Sequence, residues 1–220
     1  MKFQGGDATD TAHCIALKHE MLRCEEAFKA FEGLATQSIM VGENRALAFK
    51  MYNSYVRFIH HLYEFMAGCY VRERHDTAAG NDYLFIEKYI SHHAQRIVTN
   101  RREAIMNGTA PSWENTLSAY PEKIPPEFST DFRCCRNKAS GHVKHERAEL
   151  SLSDFYDRYH MYLYMLYRDD LGWWGLRDRE FPDLKEITDF SVMIRERPPN
   201  ALSKDFLRRS RNGLAHRINN

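Results

Sequence analysis

The chain carries Arg136-Asn137-Lys-Ala-Ser-Gly141-His142 near its middle and Arg211-Asn212-Gly-Leu-Ala-His216 near its end. Both stretches set an Arg-Asn pair a short spacer ahead of a His. An arginine stays cationic at any working pH and offers a planar fork to phosphate oxygens. A histidine titrates near neutrality and can take or return a proton. RNA brings its own nucleophile, the 2′-hydroxyl. Arg for the developing charge and His for the proton are therefore enough to break a phosphodiester without a metal. The asparagine would orient the His or fix the Arg.

The spacing sets a geometric condition. Six residues of ideal helix separate Arg136 from His142, which leaves the two side chains roughly 120° apart. Gly141 can break the helix just before the His and let both converge on one groove. The surroundings are basic: from 133 to 147 five Arg and Lys face one acid, and from 204 to 217 the balance is the same. Arg133, Lys138, Lys144 and His145 are the candidates for further RNA contacts. The first motif, Arg136, Asn137 and His142, is the expected catalytic set. The second, Arg211, Asn212 and His216, has almost no chain after it. It either lends side chains to a site formed elsewhere or is a basic tail.

Helices must position these groups. Residues 1–10 read as a loose polar arm. From about Thr11, Cys14, Leu17, Met21, Cys24, Phe28 and Phe31 alternate by three and four, a seam that predicts a helix lying along another, with Gly33 and Gly42 marking its end. Asn44 predicts the cap of a long, central helix ending near Arg74, with Tyr55, Ile59, Leu62 and Met66 among its inward stripe. A third helix runs from about Asp82 to Asn107. Four prolines between 108 and 127 exclude a regular helix there. A short helix enters the Arg-rich stretch from 127 or 129. Another starts near Ser153-Asp154 and buries Phe155, Tyr159, Leu163 and Leu166. Short helical pieces follow around 183–195 and 201–211. No stretch alternates with period two, so no strand is expected.

Composition narrows the class. The net charge is +1 over 220 residues, so only local clusters argue for nucleic acid. Five cysteines, with Cys134 and Cys135 adjacent and no CxxC pair, suit reduced thiols in a cytoplasmic protein. The polar opening reads as no signal peptide, and no apolar run has the length of a membrane span. His142 and His145 lack a third patterned ligand, and His60-His61 and His92-His93 read as core or interface histidines. No metal or cofactor is expected. Glu64, one turn beyond His60, could reach toward a cleft.

Arg136-Asn137-x4-His142, between helices and at a bend, resembles the R-polar-x3–5-H motif of HEPN domains (higher eukaryote and prokaryote nucleotide-binding). The resemblance covers roughly residues 11–170. It implies an all-α bundle of four to five main helices, with 108–127 a Pro-rich insertion and 171–220 a C-terminal helical extension. It also implies a metal-independent endoribonuclease acting as a toxin or antiviral defence effector. The partners it implies are RNA, a second copy of the chain that completes a composite cleft, and an antitoxin or defence-complex protein. The alternative is a catalytically inert helical module that binds a nucleotide or a partner protein.

Overall fold

A computed structural model of the protein describes residues 1–42, 44–140, 145–174 and 185–196. Six α-helices account for most of them: α1 Ala8–Val41, α2 Arg45–Arg74, α3 Tyr83–Met106, α4 Phe128–Ser140, α5 Leu152–Trp174 and α6 Lys185–Glu196. No strand occurs among the described residues; one isolated antiparallel bridge joins Lys2 to Asp76. The protein is all-α. Residues 1–179 form one compact unit, which holds α1 to α5, and residues 180–220 form a second, which holds α6. No described helix is long and apolar enough to cross a membrane.

Local chemistry sets the helix ends. Asp7 caps α1 by accepting from the Asp10 N–H at 2.8 Å, and Asn44 caps α2 by accepting from Leu47 N–H at 3.0 Å. Ser151 does the same for α5, through the Asp154 N–H at 3.2 Å. The first helix runs through Gly33 to Gly42, where φ of +76° takes the chain out of the helix. Gly33 did not stop it, because an exposed glycine only weakens a long helix.

α1 and α2 form an antiparallel hairpin. Paired residues run Asp10 with Arg72, His13 with Gly68, Glu20 with His61, Phe28 with Phe58 and Phe31 with Tyr55. Their close approach depends on Gly68. A Cβ there would lie 2.6 Å from Leu17 Cδ2, and Leu17 is itself buried. The expected seam therefore exists: Leu17, Met21, Cys24 and Phe28 are its buried members.

α2 is the central helix. Phe58, Ile59, Leu62 and Phe65 are fully buried, together with Ile90 of α3, Phe128 and Phe132 of α4 and Leu163 and Leu166 of α5. Phe49 and Tyr52, at the start of α2, are exposed instead. Truncating one of the buried rings to Ala should cost about 3–5 kcal/mol.

Two segments differ from expectation in how they are held. The opening residues, read as a loose arm, lie against the bundle. The N-terminal ammonium donates to Thr77 Oγ1 at 2.9 Å, Phe3 N–H donates to His75 O at 2.9 Å, and the Phe3 ring is buried. The Pro-rich span is fastened along α3. Gln95 Nε2 donates to Glu122 O at 2.9 Å, Ile124 N–H donates to Gln95 Oε1 at 3.0 Å, and Arg101 pairs with Glu114 at 3.0 Å.

Candidate functional site

α4 places the first half of the Arg-Asn…His motif. Phe128, Phe132, Cys135 and Ala139 recur at three and four and are buried, so this face enters the core. Arg133 and Arg136 stand on its flank. Arg133 Nε donates to Glu87 Oε1 of α3 at 2.5 Å, and its guanidinium lies 4.5 Å from the centre of the Tyr83 ring. Arg136 turns to α2. It donates through Nη2 to Glu64, and its guanidinium lies 4.9 Å from the centre of the Tyr63 ring. Its Nη1 donates to Asn137 Oδ1 at 2.6 Å. Of the two roles expected for Asn137, the described residues contain the fixing of the arginine; the other involves His142, which lies outside them.

The Arg136–Glu64 pair is not sealed away. The Arg136 side chain is 28% exposed and that of Glu64 35%. Burial takes something from the basicity of Arg136, and Tyr63 gives some back. The group remains a cation at any working pH. Its Nε is buried, and no described group accepts from it.

The other expected site residues divide in two. Lys138 is half-buried in the last turn of α4, and His145 is exposed at the start of a 3-10 turn, His145–Glu149. His142, Lys144, Arg211, Asn212 and His216 lie outside the described residues. Cys134 and Cys135 are free thiols, as expected for that pair, and burial pushes Cys135 up to about 12.

Glu64 also lines a groove between α1 and α2. Glu20, Arg23, His60, His61 and His13 line it as well, around a volume of about 460 Å³. His61 Nδ1 donates to Glu20 Oε1 at 2.6 Å, since a carboxylate can only accept. Burial alone would raise the Glu20 carboxyl, yet the bond to His61 and the charges of His61 and Arg23 bring it below its ordinary value. His60 is lowered chiefly by burial, then by the charges of His61 and Arg136. Glu64, which pairs with Arg136 and lines the groove beside His60, brings the two into one neighbourhood. The polar site of the described structure thus comprises Arg136, Asn137, Glu64, His60, His61 and Glu20.

His60 and His61 read from the sequence as partly buried core or interface histidines; both are half-buried, and they line the groove where α2 meets α1. Glu64 was legible as a residue able to reach a cleft. Glu20 was missed. Nothing local marks it, and only the register of α1 on α2 brings it to His61. A larger groove of about 1130 Å³, between the end of α1, the start of α2 and the start of α5, is mainly apolar and lacks such a cluster. Comparison with protein-family models, with curated proteins and with solved structures finds no match to this chain.

Proposed function

We propose that this chain is a metal-independent endoribonuclease of HEPN type. The observation that carries the reading is the placement of Arg136. It is fixed by Glu64, Tyr63 and Asn137 near the end of α4, keeps part of its surface in solvent, and its partner Glu64 lines the groove that holds Glu20, His60 and His61. The chain then runs directly into Gly141-His142.

In this reading His142 of one copy takes the proton from the RNA 2′-hydroxyl. The freed oxygen attacks the adjacent phosphorus while Arg136 stabilises the growing negative charge. His142 of a second copy protonates the departing 5′-oxygen. The products are a 2′,3′-cyclic phosphate and a 5′-hydroxyl. A twofold homodimer supplies both histidines from one motif. Such an enzyme works in the cytoplasm as a toxin or antiviral effector and is restrained by an antitoxin or a defence-complex protein.

A second reading has its own observation. Glu64 already neutralises Arg136, which favours an inert module that binds a nucleotide or a partner. RNA cleavage in EDTA separates the two. The enzyme cuts RNA under chelation, and His142→Ala or Arg136→Ala stops it. Cleavage that persists in His142→Ala removes this mechanism, and an intact RNA pool with the wild-type dimer favours the inert module.

A further inference from the structure

The groove between α1 and α2 contains a donor set that the ribonuclease reading does not use. Glu20, His60 and His61 each offer one ligand atom, and these atoms lie within 4.8 Å of one another. We propose that Glu20, His60 and His61 form a binding site for one divalent transition-metal ion, of which Zn²⁺ is the best-fitting kind.

The donor chemistry selects the ion. Two imidazoles and one carboxylate form the mixed nitrogen-oxygen set that suits Zn²⁺ and its neighbours, whereas Mg²⁺ and Ca²⁺ prefer oxygen alone. Three protein donors leave a fourth position for water, and the site opens on a groove rather than closing in the core.

The geometry needs little adjustment. In a tetrahedral zinc site, bonds of about 2.0–2.1 Å put neighbouring ligand atoms about 3.3–3.4 Å apart. His61 Nδ1 and Glu20 Oε1 are 2.6 Å apart as a hydrogen-bonded pair; the ion would take the place of the shared proton, with neutral His61 then protonated on Nε2, and the two atoms would move outward slightly to admit it. The two residues come from different helices of the hairpin, so the rigid antiparallel packing of α1 on α2 preorganises them. A second observation points the same way. His60 Nδ1 is buried, and no group among the described residues bonds to it. Arg23 stands 3.8 Å from the other Glu20 oxygen, and Arg136 occupies Glu64, so the two remaining charges of the groove are already compensated.

The other histidine-carboxylate cluster, His93 with Asp169 and Asp170, fits an ion less well. Arg96 Nη2 bonds to His93 Nδ1 at 2.8 Å. Arginine only donates, so neutral His93 carries its proton on Nε2, the nitrogen that faces both carboxylates. A metal there would have to displace that proton and the Arg96 contact together.

The test is a titration of the purified full-length protein with Co²⁺, followed by its visible d–d absorption, and competition with Zn²⁺. The expected result is one equivalent of bound Co²⁺, displaced by Zn²⁺. Glu20→Gln, nearly isosteric, weakens binding at least about tenfold. His60→Asn with His61→Asn abolishes it, with helical circular dichroism confirming the fold. His93→Asn and His145→Asn leave it unchanged. The site is ruled out if wild type binds no Co²⁺, if the double variant binds as wild type does, or if His93→Asn removes the signal. The readout contains no RNA, so it succeeds or fails independently of the ribonuclease reading.

Discussion

Arg136 of α4 and Glu64 of α2 form an ion pair that ties the helix bearing the Arg-Asn motif to the central helix of the bundle. The pair has two consequences of opposite sign. It holds the guanidinium in one place, and it sets a negative charge beside the position a phosphate would take. Glu64→Gln keeps a neutral acceptor for Arg136 and removes the repulsion. RNA affinity is expected to rise and KM to fall, with a steeper salt dependence of binding. Arg136→Ala is expected to reduce kcat about 10²–10³-fold. Arg136→Lys will not restore it, because a point charge replaces a planar fork. Steady-state kinetics on a defined RNA oligomer at several salt concentrations reads all three. Unchanged kinetics in both Arg136 variants would assign the pair to structure alone.

A second ion pair closes the open end of the α1–α2 hairpin. Arg72 Nε donates to Asp10 Oδ1 at 2.9 Å, and the Gly6 N–H donates to Asp10 Oδ2 at 2.8 Å. The bond from Arg72, then that from Gly6, lowers the Asp10 carboxyl from 3.8 to about 2. The folded pKa lies below the unfolded one. The stabilisation is therefore complete above the unfolded value and is lost as pH falls from about 4 to about 2. Asp10→Asn is expected to lower Tm at neutral pH and to flatten the acid limb of the Tm-against-pH curve in that window. A curve with an unaltered acid limb would place the acid sensitivity elsewhere.

How far the sequence could be read depends on whether a feature is local. The Asn44 cap, the end of α2 at Arg74 and the inward stripe through Tyr55, Ile59, Leu62 and Met66 all follow from neighbours a few residues away, and all are found. Arg136 and Asn137 stood out by type and spacing, and the structure adds the bond between them. Glu20 could not be read in this way. Its partner His61 is 41 residues off, and only the packing of two helices joins them. The buried Phe3 escaped notice because it is a lone apolar residue in a polar opening, and its burial depends on the turn after α2. Exposed Phe49 and Tyr52 show the reverse. Periodicity puts Tyr52 on the inward stripe and Phe49 beside it, but Tyr52 lines the open groove between α1, α2 and α5, and Phe49 lies in solvent.

α4 is also fixed from the side of α5. The Tyr159 hydroxyl donates to Asp131 Oδ2 at 2.6 Å, and Arg158 Nη2 donates to Glu127 at 2.7 Å. The Tyr159 ring is almost fully buried, whereas Arg158 is half exposed. The tyrosine should therefore count for more than the surface ion pair. Tyr159→Phe keeps the ring and removes one charge-assisted bond, and is expected to cost about 1.5–3 kcal/mol. Arg158→Ala is expected to cost no more than about 1 kcal/mol. Urea denaturation compares them directly. Equal costs would mean that the buried Tyr159 hydroxyl bond is worth no more than the surface ion pair.

Asp170 is an interior carboxyl whose protonation is tied to folding. It is buried on α5, its Oδ2 has no hydrogen-bond partner among the described residues, and His93 Nε2 lies 3.6 Å from its other oxygen. Burial raises its carboxyl above 3.8, and the opposing attraction of His93 does not cancel that. The folded state thus holds the proton more tightly than the unfolded chain does. By linkage, stability is greatest below the unfolded value and declines as pH rises through the folded one. Asp170→Asn has the same shape and carries no charge to desolvate. It is expected to raise Tm at neutral pH and to remove the decline that begins at the ordinary carboxylate value and ends above the raised folded one. Its effect should vanish in acid, where Asp170 is protonated and resembles the asparagine. A variant less stable than wild type at neutral pH would show instead that the charge of Asp170 is compensated, with His93 as the group to change next.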